Sequence, residues 1–282
     1  MEQLVIESYG KINLCLDVRY KRADGYHELN TVMQQISLKD KLTFKEMESG
    51  IKVESRGLKI PLDSTNLVYR AWEHMKNLSG IERGIHITIE KNIPVAAGLA
   101  GGSSNGAATL KALNQMWNLN YSLEELMKIG VQLGADIPFC LLGGTALAEG
   151  IGDILTPLKS FSDIHILLGN PGIGVSTEYA YSRLNLTGKE NIDISTLVSC
   201  MDKKDLKCVG SNLANIMEGP IIGENPIIKQ IKDNMMASGA LGTLMSGSGP
   251  TVFGLYKDEA SIINAKKELL EIIDKVYICK TI

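Results

Sequence analysis

Between a strand pattern that ends at Ile89 and a helical pattern that follows lies Pro94-Val-Ala-Ala-Gly-Leu-Ala-Gly-Gly-Ser-Ser-Asn-Gly-Ala-Ala108. It holds four glycines (Gly98, Gly101, Gly102 and Gly106), paired serines and several alanines. Glycine lets a backbone turn through positive φ and lets a ligand approach the main chain with no Cβ in the way. A helix opening directly afterwards offers unpaired N–H groups and the positive end of its dipole. A strand, a small-residue loop and a helix in this order describe a cradle for an anion, phosphate above all. Tight helix–strand packing alone would explain one such glycine, but not three glycines and two serines within residues 94–104. The segment has no Lys in the position that G-x-x-x-x-G-K-[ST] requires, and it does not contain G-x-G-x-x-G.

The remaining composition bounds the partners. A chain of 282 residues has room for one large or two moderate cores. Its net charge of −3 is spread without a long basic block, which argues against a nucleic-acid footprint. The five cysteines (Cys15, Cys140, Cys200, Cys208, Cys279) show neither a CxxC pair nor a framework spacing, so reduced thiols are expected. The first residues lack a signal peptide's basic and apolar regions, and no apolar run approaches a membrane span. The expectation is a cytoplasmic protein without membrane or obligate protein partner.

Periodicity predicts strands over residues 12–18, 30–36, 41–45, 51–55 and 84–89, with Ile85, Ile87 and Ile89 alternating inward. Leu67, Val68, Ala71, Trp72, Met75 and Leu78 fall at helical spacing, with Asp63 or Ser64 as caps. A second helix is expected from about Ser104 to Trp117, and a third from Ser122, where Glu125 completes a capping box. Beyond a strand at 163–168 come several helical segments. They are followed by helix 226–237, strands 242–245 and 251–256, helix 259–273 and strand 275–280. This order suggests an α+β chain whose second part is a small antiparallel sheet covered by helices, with a boundary near residue 155.

Four further segments carry chemistry. Gly102-Ser-Ser104-Asn-Gly106 formally matches the G-x-S-x-G nucleophile elbow, and Asp136 and His165 follow in hydrolase order. An elbow serine, however, sits on the turn that ends a strand, and about ten residues of loop separate Ser104 from Ile89. Lys11 and Asn13 lie on an apolar strand. They are followed by the Asp24-Gly25 turn, where Tyr26 and His27 either stack on a planar base and bond its edge or form an ordinary polar loop. Asp136 in Gly134-Ala-Asp-Ile-Pro138 is either a rigid functional carboxylate or a helix-end turn residue. Ser246-Gly-Ser-Gly-Pro-Thr251 is a second small-residue loop, either a plain connection or a closure over phosphates.

Pro94-x-x-x-Gly98-Leu99-x-x-x-Ser103-Ser104 resembles the central ATP-binding motif of the GHMP kinases, the group of galactokinase, homoserine, mevalonate and phosphomevalonate kinases. Leu244-Met-Ser-Gly-Ser-Gly-Pro-Thr251 is similar to their C-terminal glycine-rich motif. Gly10-Lys-Ile-Asn-Leu14 with Arg22-Ala-Asp-Gly-Tyr-His27 resembles the members that act on a cytidyl-linked alcohol rather than a sugar.

The resemblance implies a two-lobed GHMP kinase fold. An N-terminal ribosomal protein S5 domain 2-like lobe (1–155) would bind ATP, a ferredoxin-like C-terminal lobe (156–282) would follow, and the active site would lie between them. It implies phosphorylation of the 2-hydroxyl of 4-diphosphocytidyl-2-C-methyl-D-erythritol by ATP and Mg²⁺, in the non-mevalonate route to isopentenyl diphosphate. Another small-molecule acceptor within the group is the alternative, and a serine hydrolase using Ser104 a more distant one. Lys11 and Asp136 match the catalytic pair; Asn13, Tyr26 and His27 match residues on the cytidine end. Pro94, Val95, Ala96, Ala97, Gly98, Leu99, Ala100, Gly101, Gly102, Ser103 and Ser104 match the ATP phosphate loop, with Asn66 as a further adenine contact. Either Ser103 or Ser104 would ligate the metal. Ala100 departs from the family's usual glycine, and an ordinary backbone that tolerates a Cβ is expected there.

Overall fold

The computed structural model describes residues 3–282 and divides into two compact units. The first comprises residues up to Gly10, Lys39–Val95 and Ala100–Gly143; the second comprises Lys11–Leu38, Ala96–Leu99 and Gly144–Ile282. Two long strands, β1 (Gln3–Lys21) and β2 (His27–Met47), contribute to both units. The two stretches expected at 30–36 and 41–45 are therefore one strand, with neither glycine nor proline between them to break it.

In the first unit, β3 (Ile51–Gly57), α1 (Leu67–Ser79), β4 (Gly84–Lys91), α2 (Gly101–Met116), α3 (Leu123–Val131) and α4 (Ile137–Leu142) follow in sequence. Strand β4 pairs antiparallel with β2 and parallel with β3. The register sets Leu42 opposite Ile89 and Phe44 opposite Ile87. These four side chains are fully buried, each contributing about 1.5–3 kcal/mol. The helices close over them through Val68, Trp72 and Met75 of α1 and Leu110 and Leu113 of α2. Helix α1 is capped by Asn66, whose side chain accepts from Val68 N at 2.9 Å, and neither Asp63 nor Ser64 takes that place. Asp63 instead bonds Thr65 in the preceding turn. The Ser122–Glu125 capping box forms as expected.

In the second unit come β5 (Thr145–Gly150), β6 (Ile154–Pro157), β7 (His165–Asn170), α5 (Thr177–Ser182), α6 (Ile194–Asp202), α7 (Leu206–Ser211), β8 (Ala214–Asn215), α8 (Glu218–Glu224), α9 (Pro226–Ala237), β9 (Gly242–Met245), β10 (Val252–Tyr256), α10 (Glu259–Leu270) and β11 (Lys275–Lys280). Strand β5 pairs with residues 29–34 of β2, and β8 lies parallel to β1 at Cys15 and Leu16. A separate four-stranded antiparallel sheet has the order β11-β7-β10-β9. Fourth, first, third, second in chain order is the ferredoxin-like arrangement, with α9 and α10 packed on its buried central strands. The α+β expectation holds.

The cysteine expectation needs correcting. Cys200 on α6 and Cys208 on α7 form a disulfide, Cα–Cα 5.6 Å apart, because a short turn folds one helix end back beside the next. Cys15, Cys140 and Cys279 are free and buried. Among the described residues no helix is long and apolar enough to cross a membrane.

Candidate active site

The glycine-rich loop turns through left-handed backbone at Ala96 (φ 48°), Gly98 (φ 71°) and Ala100 (φ 53°). Ala100 thus does not keep an ordinary backbone, contrary to expectation. It is the N-cap of α2, and the helix starts at Gly101, three residues ahead of Ser104. Ala100 makes no side-chain cap bond, and the first turn of α2 carries the positive end of the helix dipole, the kind of place that favours an anion. Gly98 is obligatory for a second reason. A Cβ there would lie 2.0 Å from the carbonyl oxygen of Ser246, and the Ser246 hydroxyl donates to Gly98 O at 2.8 Å. The two small-residue loops are packed backbone to backbone.

Lys11 is drawn into the same cluster. Its backbone N–H donates to Leu99 O at 3.1 Å, and its Nζ donates to Asn13 Oδ1 at 2.7 Å. Asn13 in turn donates to Thr31 Oγ1 at 2.8 Å, and the Thr31 hydroxyl donates to Cys15 O. Lys11 is 5% exposed and Asn13 2%, so the strand buries the lysine side chain, held by Asn13, while its backbone is tied to the glycine-rich loop at Leu99. Thr31, which orients Asn13, carries no sequence signal of its own.

Tyr26 and His27 ride on a tight hairpin. Arg22 N donates to Tyr26 O, and the Arg22 guanidinium binds both Asp24 and Glu28. Tyr26 is exposed at the tip. His27 stacks on Tyr181, ring centroids 4.6 Å apart and planes 19° from parallel. Burial, then the charge of Lys21, hold the His27 imidazole below its ordinary pKa, so it is neutral at pH 7 and presents one donor and one acceptor. Tyr181 was not legible in the sequence because it lies on the short helix α5, 154 positions away from His27 in numbering.

In the first unit, Ser103 and Ser104 part company. Ser104 is 3% exposed, and its Oγ accepts from the Ser8 hydroxyl at 2.8 Å. Asn105 bonds Ser8 and the buried Asp40, which pairs with Lys91 and caps the N–H groups of Asn92 and Ile93. Burial pushes the Lys91 ammonium down while Asp40 opposes the shift. Ser104 therefore faces inward, bonded to a serine rather than a histidine, and the hydrolase alternative falls. Ser103 is partly exposed on the loop side, and a Cβ on Gly134 would lie 3.9 Å from its Oγ. The turn carrying Asp136 is thereby beside the helix N-terminus. Asp136 is the N-cap of α4, held by Cys140 N donating to its carbonyl, and its carboxylate is not used as a cap. Asn66 is engaged at both ends of its amide, with Val68 N and Pro61 O.

The comparisons with known proteins agree with this geometry. A family model described as GHMP kinases N terminal domain matches residues 66–144, and one described as GHMP kinases C terminal matches residues 197–273. The 4-diphosphocytidyl-2-C-methyl-D-erythritol kinase of Clostridioides difficile (strain 630) is 47% identical over 99% of this chain and 95% of its own length. That of Alkaliphilus oremlandii (strain OhILAs) is 46% identical over 100% and 97%. A crystal structure of a 4-(cytidine 5'-diphospho)-2C-methyl-D-erythritol kinase superposes with a TM-score of 0.84 at 31% identity, covering 99% of each chain. With both glycine loops, the buried strand lysine and near full-length similarity in agreement, this chain belongs to the GHMP kinase family, among the 4-diphosphocytidyl-2-C-methyl-D-erythritol kinases.

Proposed function

We propose that the chain transfers the γ-phosphoryl group of ATP to the 2-hydroxyl of 4-diphosphocytidyl-2-C-methyl-D-erythritol, in the cytoplasm, as a step of the non-mevalonate route to isopentenyl diphosphate. The observation that carries this reading is the junction of Lys11 with the phosphate loop, through Lys11 N to Leu99 O. The relatives' names supply the acceptor. A lobe boundary near residue 155 leaves the matched segments 66–144 and 197–273 wholly on either side, although residues 11–38 and 144–155 pack with the second compact unit.

Phosphoryl transfer asks the protein mainly for positioning and charge stabilisation. In this reading the backbone from Pro94 to Ser104 holds the phosphates, with the first-turn amides of α2 as donors. Asp136 orients the attacking hydroxyl and accepts its proton. Lys11 stabilises the charge on the group in transfer. Asn13, Tyr26 and His27 hold the cytidine end: the neutral imidazole bonds the base edge, and Tyr26 supplies an aromatic face. Asn66 supports the adenine through its main chain, since its amide is committed to capping α1.

Mg²⁺ would neutralise phosphate charge when bound. Of the two serines, Ser103 would hold the ion, since Ser104 is turned inward and bonded to Ser8.

The test is transfer of label from γ-labelled ATP in parallel reactions with the cytidyl alcohol, mevalonate, homoserine and galactose. Label is expected on the cytidyl alcohol alone, and preferential labelling of another acceptor sinks the assignment. Asp136→Asn should lower kcat by about 10²–10⁴-fold while ATP affinity is kept. Wild-type turnover in that variant removes Asp136 as the base.

A further inference from the structure

The loop at residues 246–250, which backs the phosphate loop, is itself held by a segment without a glycine motif. Asn215, at the end of β8, is 8% exposed. Its Nδ2 donates to Met245 O at 2.7 Å and to Gly247 O at 2.8 Å, while its Oδ1 accepts from Met217 N at 2.9 Å. Two carbonyls on one side and an N–H on the other define the amide's orientation without ambiguity. Three residues on, Glu218 accepts from Met245 N at 2.8 Å with Oε1 and pairs with Lys232 of α9 through Oε2. Both backbone groups of Met245, and the carbonyl of Gly247, thus end on two side chains.

The other face of the loop meets the candidate site. Ser246 bonds Gly98 O, and a Cβ on Gly247 would lie 3.3 Å from Asn13 Oδ1 and 3.4 Å from Gly98 O. Asn215 also lies beside β1, the strand that carries Lys11 and Asn13. It pairs with Leu16 of β1, and Ile216 N donates to Leu16 O at 3.1 Å. One amide therefore links β1 to the loop behind Gly98.

We propose that Asn215, seconded by Glu218, is a positioning residue for the nucleotide phosphates: it sets loop 246–250 against Gly98 and so fixes the shape of the phosphate loop. This inference rests on the reading of residues 94–104 as the ATP phosphate loop. A carboxylate at 215 would keep the acceptor for Met217 N but set negative charge against two carbonyl oxygens. Asn215→Asp is therefore the sharpest variant, changing two donors and almost no volume.

Three measurements test the proposal. Amide exchange of residues 246–249 in the ligand-free protein should quicken about tenfold or more in Asn215→Asp, with β7 amides unchanged. Binding of the non-hydrolysable analogue Mg·AMPPNP should weaken by about tenfold. In steady state, KM for ATP should rise by a similar factor while KM for the cytidyl alcohol stays within about twofold. Glu218→Ala should act in the same direction, and Glu218→Gln, which keeps the acceptor for Met245 N, should recover most of the loss.

Wild-type exchange and analogue affinity in a folded Asn215→Asp protein overturn the proposal, as does an equal rise of both KM values. If Asn215→Asp does not fold, Asn215→Ser, which keeps one short donor, is read by the same criteria. If the wild-type protein binds the analogue but phosphorylates none of the acceptors, the functional reading fails, while exchange and analogue binding still decide the role of Asn215.

Discussion

Ala100 shows how a single side chain can run against its backbone. Its φ of 53° is left-handed, where a Cβ crowds the following carbonyl at a cost of about 1–2 kcal/mol. Ala100→Gly relieves that strain but gives the unfolded chain more freedom, worth about 0.4–1 kcal/mol. The net expectation is a gain of about 1 kcal/mol, or about 2 °C in Tm for a chain of this length. Calorimetry of the variant decides it, and a lower Tm would mean that the methyl group packs well enough to outweigh its strain. The stacked His27 gives a pH signature. Because burial lowers its pKa, the neutral form persists below pH 6.5, the ordinary midpoint. Affinity for a cytidine nucleotide should be level from pH 8 to 6.5 and weaken only below that, whereas His27→Gln should be flat. A titration of dissociation constants against pH is the check, and a midpoint above 6.5 contradicts the assignment. Lys11, Asn13, Tyr26, His27 and Asp136 could all be picked out from the sequence, because each stands in a short motif. Thr31 and Tyr181 could not, because their only signal is the neighbour they touch in space.

Helices and strands were legible wherever a period had room to show itself. Helix α9 and strands β9 and β11 begin and end where the pattern put them, with Pro226 at the helix start and Gly242 at the strand start as markers. From α5 to α8 the helices run only six to nine residues, too short for a 3.6-residue period to establish itself, and side-chain caps mark the starts of α5, α6 and α7 instead. Asp193 caps α6 through the N–H groups of Ser195 and Thr196 and also bonds both hydroxyls. The Ser195 and Thr196 bonds hold its carboxyl down to about 2, from an ordinary 3.8. A depressed acid pKa means that this stabilisation is complete above pH 3.8 and is lost as the pH falls toward 2. The Tm gap between wild type and Asp193→Ala should hold steady from pH 8 to 5 and close by pH 2. A gap that persists at pH 2 would show that the cap does not depend on charge. Helix α2 was the harder case: its glycine-rich opening reads as loop, since glycine is a poor helix former, and only the folded chain shows the helix starting at Gly101.

Across the whole molecule, the chain passes between its two compact units after residues 10, 38, 95, 99 and 143. A cut near residue 155 therefore divides the second unit's core. Leu16, Val18 and Leu29 belong to a buried cluster with Leu167, Val252 and Ile262, and a fragment of residues 1–155 loses that cover. Such a fragment should show no cooperative thermal transition by circular dichroism; a sharp melt would mean that those three side chains find other partners. The order of elements, the α+β class and both glycine loops were readable in the linear chain, because propensity, period and motif act over a few neighbouring residues. Left to the tertiary structure were the seating of Gly98 on Ser246, the contact of Lys11 with Leu99, the inward turn of Ser104 and the bond between Cys200 and Cys208. The first two join residues some 90 to 150 positions apart, and what sets them is burial summed over a whole core, which no spacing within a segment records. The loops at Pro94–Ser104 and 246–250 were visible from their glycines; that the second backs the first, and that Asn215 bonds the second, became visible only once the chain had closed on itself.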